Sequence, residues 1–353
     1  MTAHAAVPSA AVGYLSDIDA QPDALLRQAD HQLPAALTRL DLHAHERIIL
    51  TGMGSSYYSF LPVARALTAA GLPVWRIDSG QLLDTPELIT PGTLLWGTSQ
   101  SGRSGELVAL LDQLTGAARP RTLLATTDDP ASPLAGAADA VIELRSGPET
   151  TVSTKSYLNT LAAHRRVLAA LHGGPNDKSV TDALRGTAER LRTWLADPPL
   201  PTALAEQALS AAQPRFAYVG TGDDASTALT GALITKEASR VAAEGYVGGA
   251  FRHGPLELAG PGLTVLLFGT GDEQDSVLPT LARDLAATGS RVLTAGPRAY
   301  PHSDHLPTPA TGGAFERLAF QMAHVQQLTV ALARTAGQVP GDFRFGRKIT
   351  DIL

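Results

Sequence analysis

Short apolar runs that end in clusters of Gly, Ser and Thr alternate along the chain with longer stretches of helical spacing. Ile48-Ile49-Leu50 leads into Gly52-Met53-Gly54-Ser55-Ser56, and 57–70 then has the spacing of an amphipathic helix. Val74-Trp75-Arg76-Ile77 reads as a second strand. Leu94-Leu95-Trp96 leads into Gly97-Thr98-Ser99-Gln100-Ser101-Gly102, followed by a helix through Leu107, Leu110, Leu111 and Leu114. Arg121–Ala125 and Ala140–Leu144 supply two more strands. Strand, polar turn and helix in this order predict an α/β fold, a mostly parallel sheet covered by helices on both faces.

The plan then recurs. Phe216-Ala217-Tyr218-Val219-Gly220-Thr221-Gly222 restates the first strand and its Gly-x-Gly turn 168 residues later. Phe268-Gly269-Thr270 restates Trp96-Gly97-Thr98 at an offset of 172, and Arg291–Ala295 restates Arg121–Ala125 at 170. Three strand ends at a nearly constant offset predict a duplicated domain. The expected division is an N-terminal arm and helix over 1–45, a first domain over 46–172 and a linker with a helix over 173–196. A second domain over 197–336 and a C-terminal tail over 337–353 complete it. The polar, Gly/Pro-containing stretch 172–178 is the expected hinge, with 179–195 helical.

A length of 353 residues with 44% hydrophobic and 18% charged positions is enough for two packed cores. The net charge of −6 provides no field that would draw the chain to nucleic acid or an anionic membrane. No apolar run reaches membrane-spanning length, and the first seven residues lack the basic and apolar regions of a secretory signal. A soluble cytoplasmic protein is therefore expected. The chain has no cysteine, which excludes disulfides, thiolate metal sites and cysteine nucleophiles. His43-x-His45 and His302-x-x-His305 fall in loop-like segments without a carboxylate–histidine helix pattern, so no metal is expected.

In open α/β sheets ligands bind beyond the carboxyl ends of strands, where helix N-termini present backbone N–H groups. Two such ends carry clustered hydroxyls: Gly54-Ser55-Ser56, and Ser99-Gln100-Ser101-Gly102-Arg103-Ser104. Small residues and extra donors suit a phosphate monoester; the plainer alternative is a pair of capping turns that bind nothing. The chain has no phosphate loop ending in Gly-Lys-Ser/Thr and no Gly-x-Ser-x-Gly elbow. Gly220-Thr221-Gly222-Asp223-Asp224 loosely resembles a dinucleotide turn, but its two carboxylates would repel a pyrophosphate. Lys236-Glu237 and Arg252-His253-Gly254-Pro255 add a carboxylate and a histidine suited to proton transfer. The alternative places Glu237 on a solvated helix face and His253 at a turn. The tail Arg344–Thr350 alternates basic and apolar residues, and either docks across a site with Lys348 or ends in solvent.

Taken together these motifs resemble the tandem sugar isomerase (SIS) family. The likeness is strongest to the isomerase half of glutamine–fructose-6-phosphate amidotransferases and to stand-alone glucosamine-6-phosphate deaminase-type relatives. It runs from Asp17–Pro22 through Ser99–Gly102, Gly147-Pro148-Glu149, Val152–Lys155, Lys236-Glu237 and His253–Leu256 to Lys348. It implies two tandem SIS domains, with Ser56, Ser99, Gln100, Ser101 and Ser104 holding phosphate and Gly54, Ser55 and Ser153 near the sugar. It further implies Glu237 as the base that moves a proton between C1 and C2, and His253 as the ring-opening residue, supplied by the neighbouring subunit of a homodimer. Lys348 corresponds to the tail lysine that forms a Schiff base with an open-chain keto sugar. The substrate implied is a phosphorylated amino sugar or ketose, with no cofactor and no glutaminase activity.

Three features depart from the synthases: Ile234 two residues before Lys236, Arg103 after the Ser-Gln-Ser-Gly turn, and Thr350 only two residues after Lys348. Isomerisation with deamination is the leading expectation. Dehydration of an N-acetylhexosamine 6-phosphate and deglycation of a fructosamine phosphate branch from the same intermediate. A sugar-phosphate sensor without turnover is the rival class.

Overall fold

The computed structural model describes residues 9–173, 178–270, 277–310 and 313–351. Its first half runs α1 (Ser9–Asp19), α2 (Gln21–Asp30), β1 (Arg47–Gly52), α3 (Gly54–Tyr58), α4 (Leu61–Ala69), β2 (Val74–Arg76), α5 (Ser79–Asp84), β3 (Thr93–Thr98), α6 (Gly105–Gln113), β4 (Thr122–Thr127), α7 (Pro133–Ala137), β5 (Ala140–Glu143) and α8 (Lys155–Gly173). The second half runs α9 (Lys178–Leu195), α10 (Thr202–Leu209), β6 (Arg215–Gly220), α11 (Ala225–Ser239), β7 (Ala243–Val247), β8 (Leu263–Phe268), α12 (Leu278–Ala287), β9 (Arg291–Gly296), β10 (Asp304–Pro307) and α13 (Gly313–Thr335). The centre of the expected hinge, 174–177, lies outside the described residues.

The chain divides into two compact units, each built on a five-stranded all-parallel sheet. The first unit comprises Pro22–Gly147, Lys155–Glu189 and Ile349–Leu353; the second comprises Met1–Gln21, Pro148–Thr154 and Arg190–Lys348. Strand order is β2-β1-β3-β4-β5 in the first sheet and β10-β9-β8-β6-β7 in the second. Read from the other edge, the second order is the same as the first. The strands matched by offset in the sequence, β1 with β6, β3 with β8 and β4 with β9, are the topological equivalents.

The inner strands are buried along nearly their whole length, as strands with helices on both faces must be. Alternate residues of the first sheet feed opposite cores: Ile48, Leu50, Leu94 and Trp96 on one face, Ile49, Leu95, Leu123 and Ala125 on the other. The helix expected over 57–70 is two pieces, because α3 ends at Tyr58 and Pro62 opens α4. The edge strands β7 and β10 had no counterpart in the sequence reading, and His305, expected in a loop, lies on β10.

A buried histidine supports the carboxyl end of β3. His164 of α8 stacks on Phe60 at 4.4 Å and meets Trp96 edge-on at 5.1 Å. Its Nε2 lies 3.1 Å from the Thr98 hydroxyl. Burial drives its pKa down from 6.5 to about 3, so the folded protein holds it neutral. A depressed folded-state value means the contribution is whole above pH 6.5 and is lost as pH falls towards 3. The loss is up to roughly 5 kcal/mol. Urea unfolding at pH 7 and pH 4.5 is expected to give a lower midpoint at the acid pH, and His164→Phe is expected to reduce that difference.

Candidate functional site

In a doubly wound sheet the crevice lies where strand order reverses, and in the first unit that point is between β1 and β3. Their register pairs Gly52 with Thr98, so the turns that follow leave the sheet side by side. Gly54, Ser55 and Ser56 form the first turns of α3. Ser99 to Ser104 form the loop from β3 into α6, with Ser104 at the N-cap. The sequence-selected hydroxyl clusters therefore share one end of one sheet.

The second loop is braced internally. The Ser99 hydroxyl accepts the Gly102 N–H at 3.1 Å and shares a hydrogen bond with the Ser104 hydroxyl at 3.0 Å. The Ser101 hydroxyl accepts the Arg103 N–H at 3.2 Å. The Gln100 carbonyl accepts the Asp128 N–H at 2.9 Å and the Thr127 hydroxyl at 3.2 Å, tying the loop to the end of β4. The Gln100 amide and the Ser56 hydroxyl bind no partner among the described residues, which leaves their donors available. The Gly105 N–H is already taken by the Thr350 carbonyl at 3.0 Å. Arg103 is spent on Asp129 at 2.8 Å. It lines a shallow groove of about 530 Å³ with Gly105, Val108 and Asp351, and none of the cradle hydroxyls lines that groove.

The corresponding point of the second unit, between β6 and β8, is furnished differently. Asp224, buried at the start of α11, accepts two hydrogen bonds from Arg317, at 2.7 and 3.1 Å. A buried carboxylate there disfavours an anion at the start of α11, and residues 271–276, which follow β8, lie outside the described residues.

The second unit's chemistry lies at the far end of α11. This helix is rich in Ala, Ser and Thr and is buried on most sides, so Glu237 in its last turn is only partly exposed. Burial pushes the Glu237 carboxyl up to about 7; the Lys348 ammonium opposes that rise, Glu149 adds to it and Lys236 opposes it. The chain returns to this helix end after α13: the Gly341 N–H donates to the Ala238 carbonyl at 3.0 Å, and Arg240 donates to the Asp342 carbonyl at 2.8 Å. A few residues on, Lys348 pairs with Glu149. The tail is thus docked, with Lys348 paired to Glu149 and Glu237 part-buried.

Glu149 is the residue that the sequence reading passed over, naming it only as part of a motif. Its side chain is fully buried (0% exposed). One oxygen accepts the Thr154 N–H at 2.8 Å and the Thr154 hydroxyl at 2.6 Å, and the other receives Lys348. Ser153 lies half-buried in the same short segment. His253 stands apart from these groups: it closes a 3-10 turn over Gly248–Arg252 and is exposed, with no side-chain partner among the described residues.

Residues 41–170 and 209–294 match the SIS domain, which is more than half of the chain. The chain belongs to the SIS domain family. Among curated relatives, this SIS protein is 27% identical over 275 residues to the glutamine–fructose-6-phosphate aminotransferase (isomerizing) of Zymomonas mobilis. That alignment takes in 76% of this chain but 45% of the relative, so the chain spans about half the length of the curated relatives it matches. The C-terminal domain of glucosamine-fructose-6-phosphate aminotransferase from Francisella tularensis superposes with a TM-score of 0.77 at 21% identity, over 92% of this chain and 96% of that one. Glucosamine-6-phosphate deaminase from Thermotoga maritima gives 0.71 at 20% identity, over 96% and 99%. At such identities these two likenesses are likenesses of fold.

Among the described residues of this SIS protein no cluster of His, Cys, Asp or Glu is placed to hold a metal ion. No described helix is long and apolar enough to cross a membrane. The groups selected from the sequence fall into two sets, the hydroxyl turns in the first unit and Glu237, Lys348 and Ser153 in the second.

Proposed function

We propose that the protein is an amino-sugar phosphate enzyme that isomerises and deaminates a hexosamine 6-phosphate. The observation that carries this reading is Glu237, a half-buried carboxyl held near neutrality beside the ion-paired Lys348. A base whose proton affinity lies near the working pH can both take and return a proton. The phosphate is assigned to Ser56, Ser99, Gln100, Ser101 and Ser104, whose hydroxyls and amide suit a dianion. Gly54, Ser55 and Ser153 are assigned to the sugar. His253 of a second copy opens the ring, a role that suits its exposed position and its lack of a side-chain partner among the described residues. Glu237 then removes the C2 proton of the open-chain sugar and returns it at C1. The proton transfer leaves an imine at C2, which water hydrolyses to the ketone with release of ammonia, and Lys348 is assigned to hold the resulting ketose.

The relatives support the substrate class by their names, and their solved structures support the fold. Incubation in D2O with glucosamine 6-phosphate, N-acetylglucosamine 6-phosphate and fructose 6-phosphate, followed by NMR, tests the assignment. Deuterium at C2 and release of ammonia from the first substrate are expected. New alkene signals from the second would replace deamination by dehydration. Binding without exchange in all three would make the protein a sensor.

The phosphate assignment has its own test. Glucosamine 6-phosphate is expected to raise the melting temperature and glucosamine is not. A hydrogen bond to a charged group contributes about 1.5–3 kcal/mol, so Ser101→Ala is expected to weaken binding roughly ten- to a hundred-fold. Equal stabilisation by both sugars would remove the cradle from the proposal.

A further inference from the structure

Glu149 has more fixed bonds than a simple counter-ion needs. Its carboxylate is wholly buried in the loop ahead of α8, and a lone charge there would be costly. Two donors from Thr154 lock one oxygen, which fixes the plane of the carboxylate and aims the other oxygen at Lys348. Lys348 sits on a tail whose neighbours Arg344, Phe345, Gly346 and Arg347 are all exposed, Phe345 by 90%. Over this stretch the Glu149 pair is the side-chain anchor that the described residues provide. A flexible lysine on an otherwise exposed segment would lose its place without it.

We propose that Glu149 is a positioning residue that holds the Lys348 ammonium within electrostatic reach of Glu237. The proposal rests on the reading of Glu237 and Lys348 as the working pair. It adds the group through which one depends on the other. The charged and titratable groups that act on Glu237 come from four places: Lys348 on the tail, Glu149 on its loop, Lys236 on α11 itself, and Tyr14 on α1. Tyr14 is buried with its hydroxyl on Thr329 at 2.9 Å and stays protonated, so its charge does not compete. Of the two cations, Lys236 is exposed on its helix, whereas Lys348 is half-buried and fixed by Glu149.

The test is a double-mutant cycle on the full-length protein, because coupling of two side chains appears as non-additivity. Lys348→Met is made in the parent and in Glu149→Gln, and Glu149→Asp serves as the conservative variant. The first readout needs no substrate: the Glu237 carboxyl is titrated by 13C NMR. In the parent, Lys348→Met is expected to raise its midpoint by about one pH unit, as loss of a nearby cation should. In Glu149→Gln the same change is expected to move it by less than about 0.3 units, because the lysine is already loose. The second readout is C2 exchange. Glu149→Gln is expected to lower kcat roughly 10- to 100-fold with little change in KM, Lys348→Met to cost little more in that background, and Glu149→Asp to recover much of the rate. Equal effects of Lys348→Met in both backgrounds would overturn the proposal and leave Glu149 as a buried structural carboxylate. If no variant exchanges deuterium, the parent included, the functional reading has failed, and the titration still decides the role of Glu149.

Discussion

Glu237→Gln is expected to lose turnover and gain stability at the same time. The amide keeps the shape and hydrogen bonding of the carboxyl but cannot accept a proton, so the C2 exchange rate should fall by about 10² to 10⁴. Its effect on folding follows from the direction of the titration. The folded-state carboxyl titrates at about 7, above its ordinary 4.5, because burial disfavours the charged form. The folded protein therefore binds this proton more tightly than the unfolded chain. The associated stability is whole below pH 4.5 and lost as pH rises through about 7, a cost of roughly 3 kcal/mol at alkaline pH. A neutral Gln does not carry that cost, so the variant's melting temperature should exceed the parent's at pH 8 and match it near pH 5. The parent's rate should climb through pH 7 as the base ionises. A variant that remains active and gains nothing at pH 8 would remove Glu237 from the reaction.

Gly102→Ala is expected to destroy phosphate binding while costing the fold several kcal/mol. Gly102 holds a left-handed φ of 64°, and an added Cβ would lie 2.1 Å from the Ser132 hydroxyl and 3.0 Å from that of Thr127. Ser132 cannot step aside freely, because its hydroxyl accepts the Ala135 N–H as the N-cap of α7. The left-handed conformation costs a non-glycine residue about 1–2 kcal/mol, and overpacking adds about 1–3 kcal/mol. Gly116→Ala separates the two terms, since Gly116 has a similar φ of 55° and open space around its Cα. Calorimetry with a sugar 6-phosphate should show a loss of affinity above about 100-fold for Gly102→Ala and none for Gly116→Ala. Unchanged affinity in the first variant would mean that the loop from β3 into α6 is not the phosphate site.

Among the strands read in the sequence, the inner ones, buried on both faces, are the plainest. β1, β3, β4, β6, β8 and β9 are largely apolar runs that end in, or are followed at once by, Gly or Thr, and that pattern needs no tertiary information. β7 and β10 escaped because, unlike the edge strands β2 and β5, they carry no apolar run. Glu244 and Gly245 interrupt one, and three of the four residues of the other are exposed. The hydroxyl turns were legible for a related reason, since strand ends at a topological switch point are local features. Glu149 was not, because its partner lies 199 residues away and only folding brings the two together. Glu237 could have been weighed more firmly. A helix made of small residues on every side is a buried helix, and a carboxylate within it is seldom idle.

The shared strand order has a consequence for how a duplicated architecture divides its work. Two copies of one fold begin with two equivalent crevices, and here they have parted company. One carries hydroxyls where its chain leaves β1 and β3, while the other places an acid and a guanidinium, Asp224 and Arg317, where its chain leaves β6. The second copy instead carries a part-buried carboxylate, Glu237, in the last turn of the helix that leaves its first strand. Repetition of a strand order thus does not repeat the side chains at its strand ends.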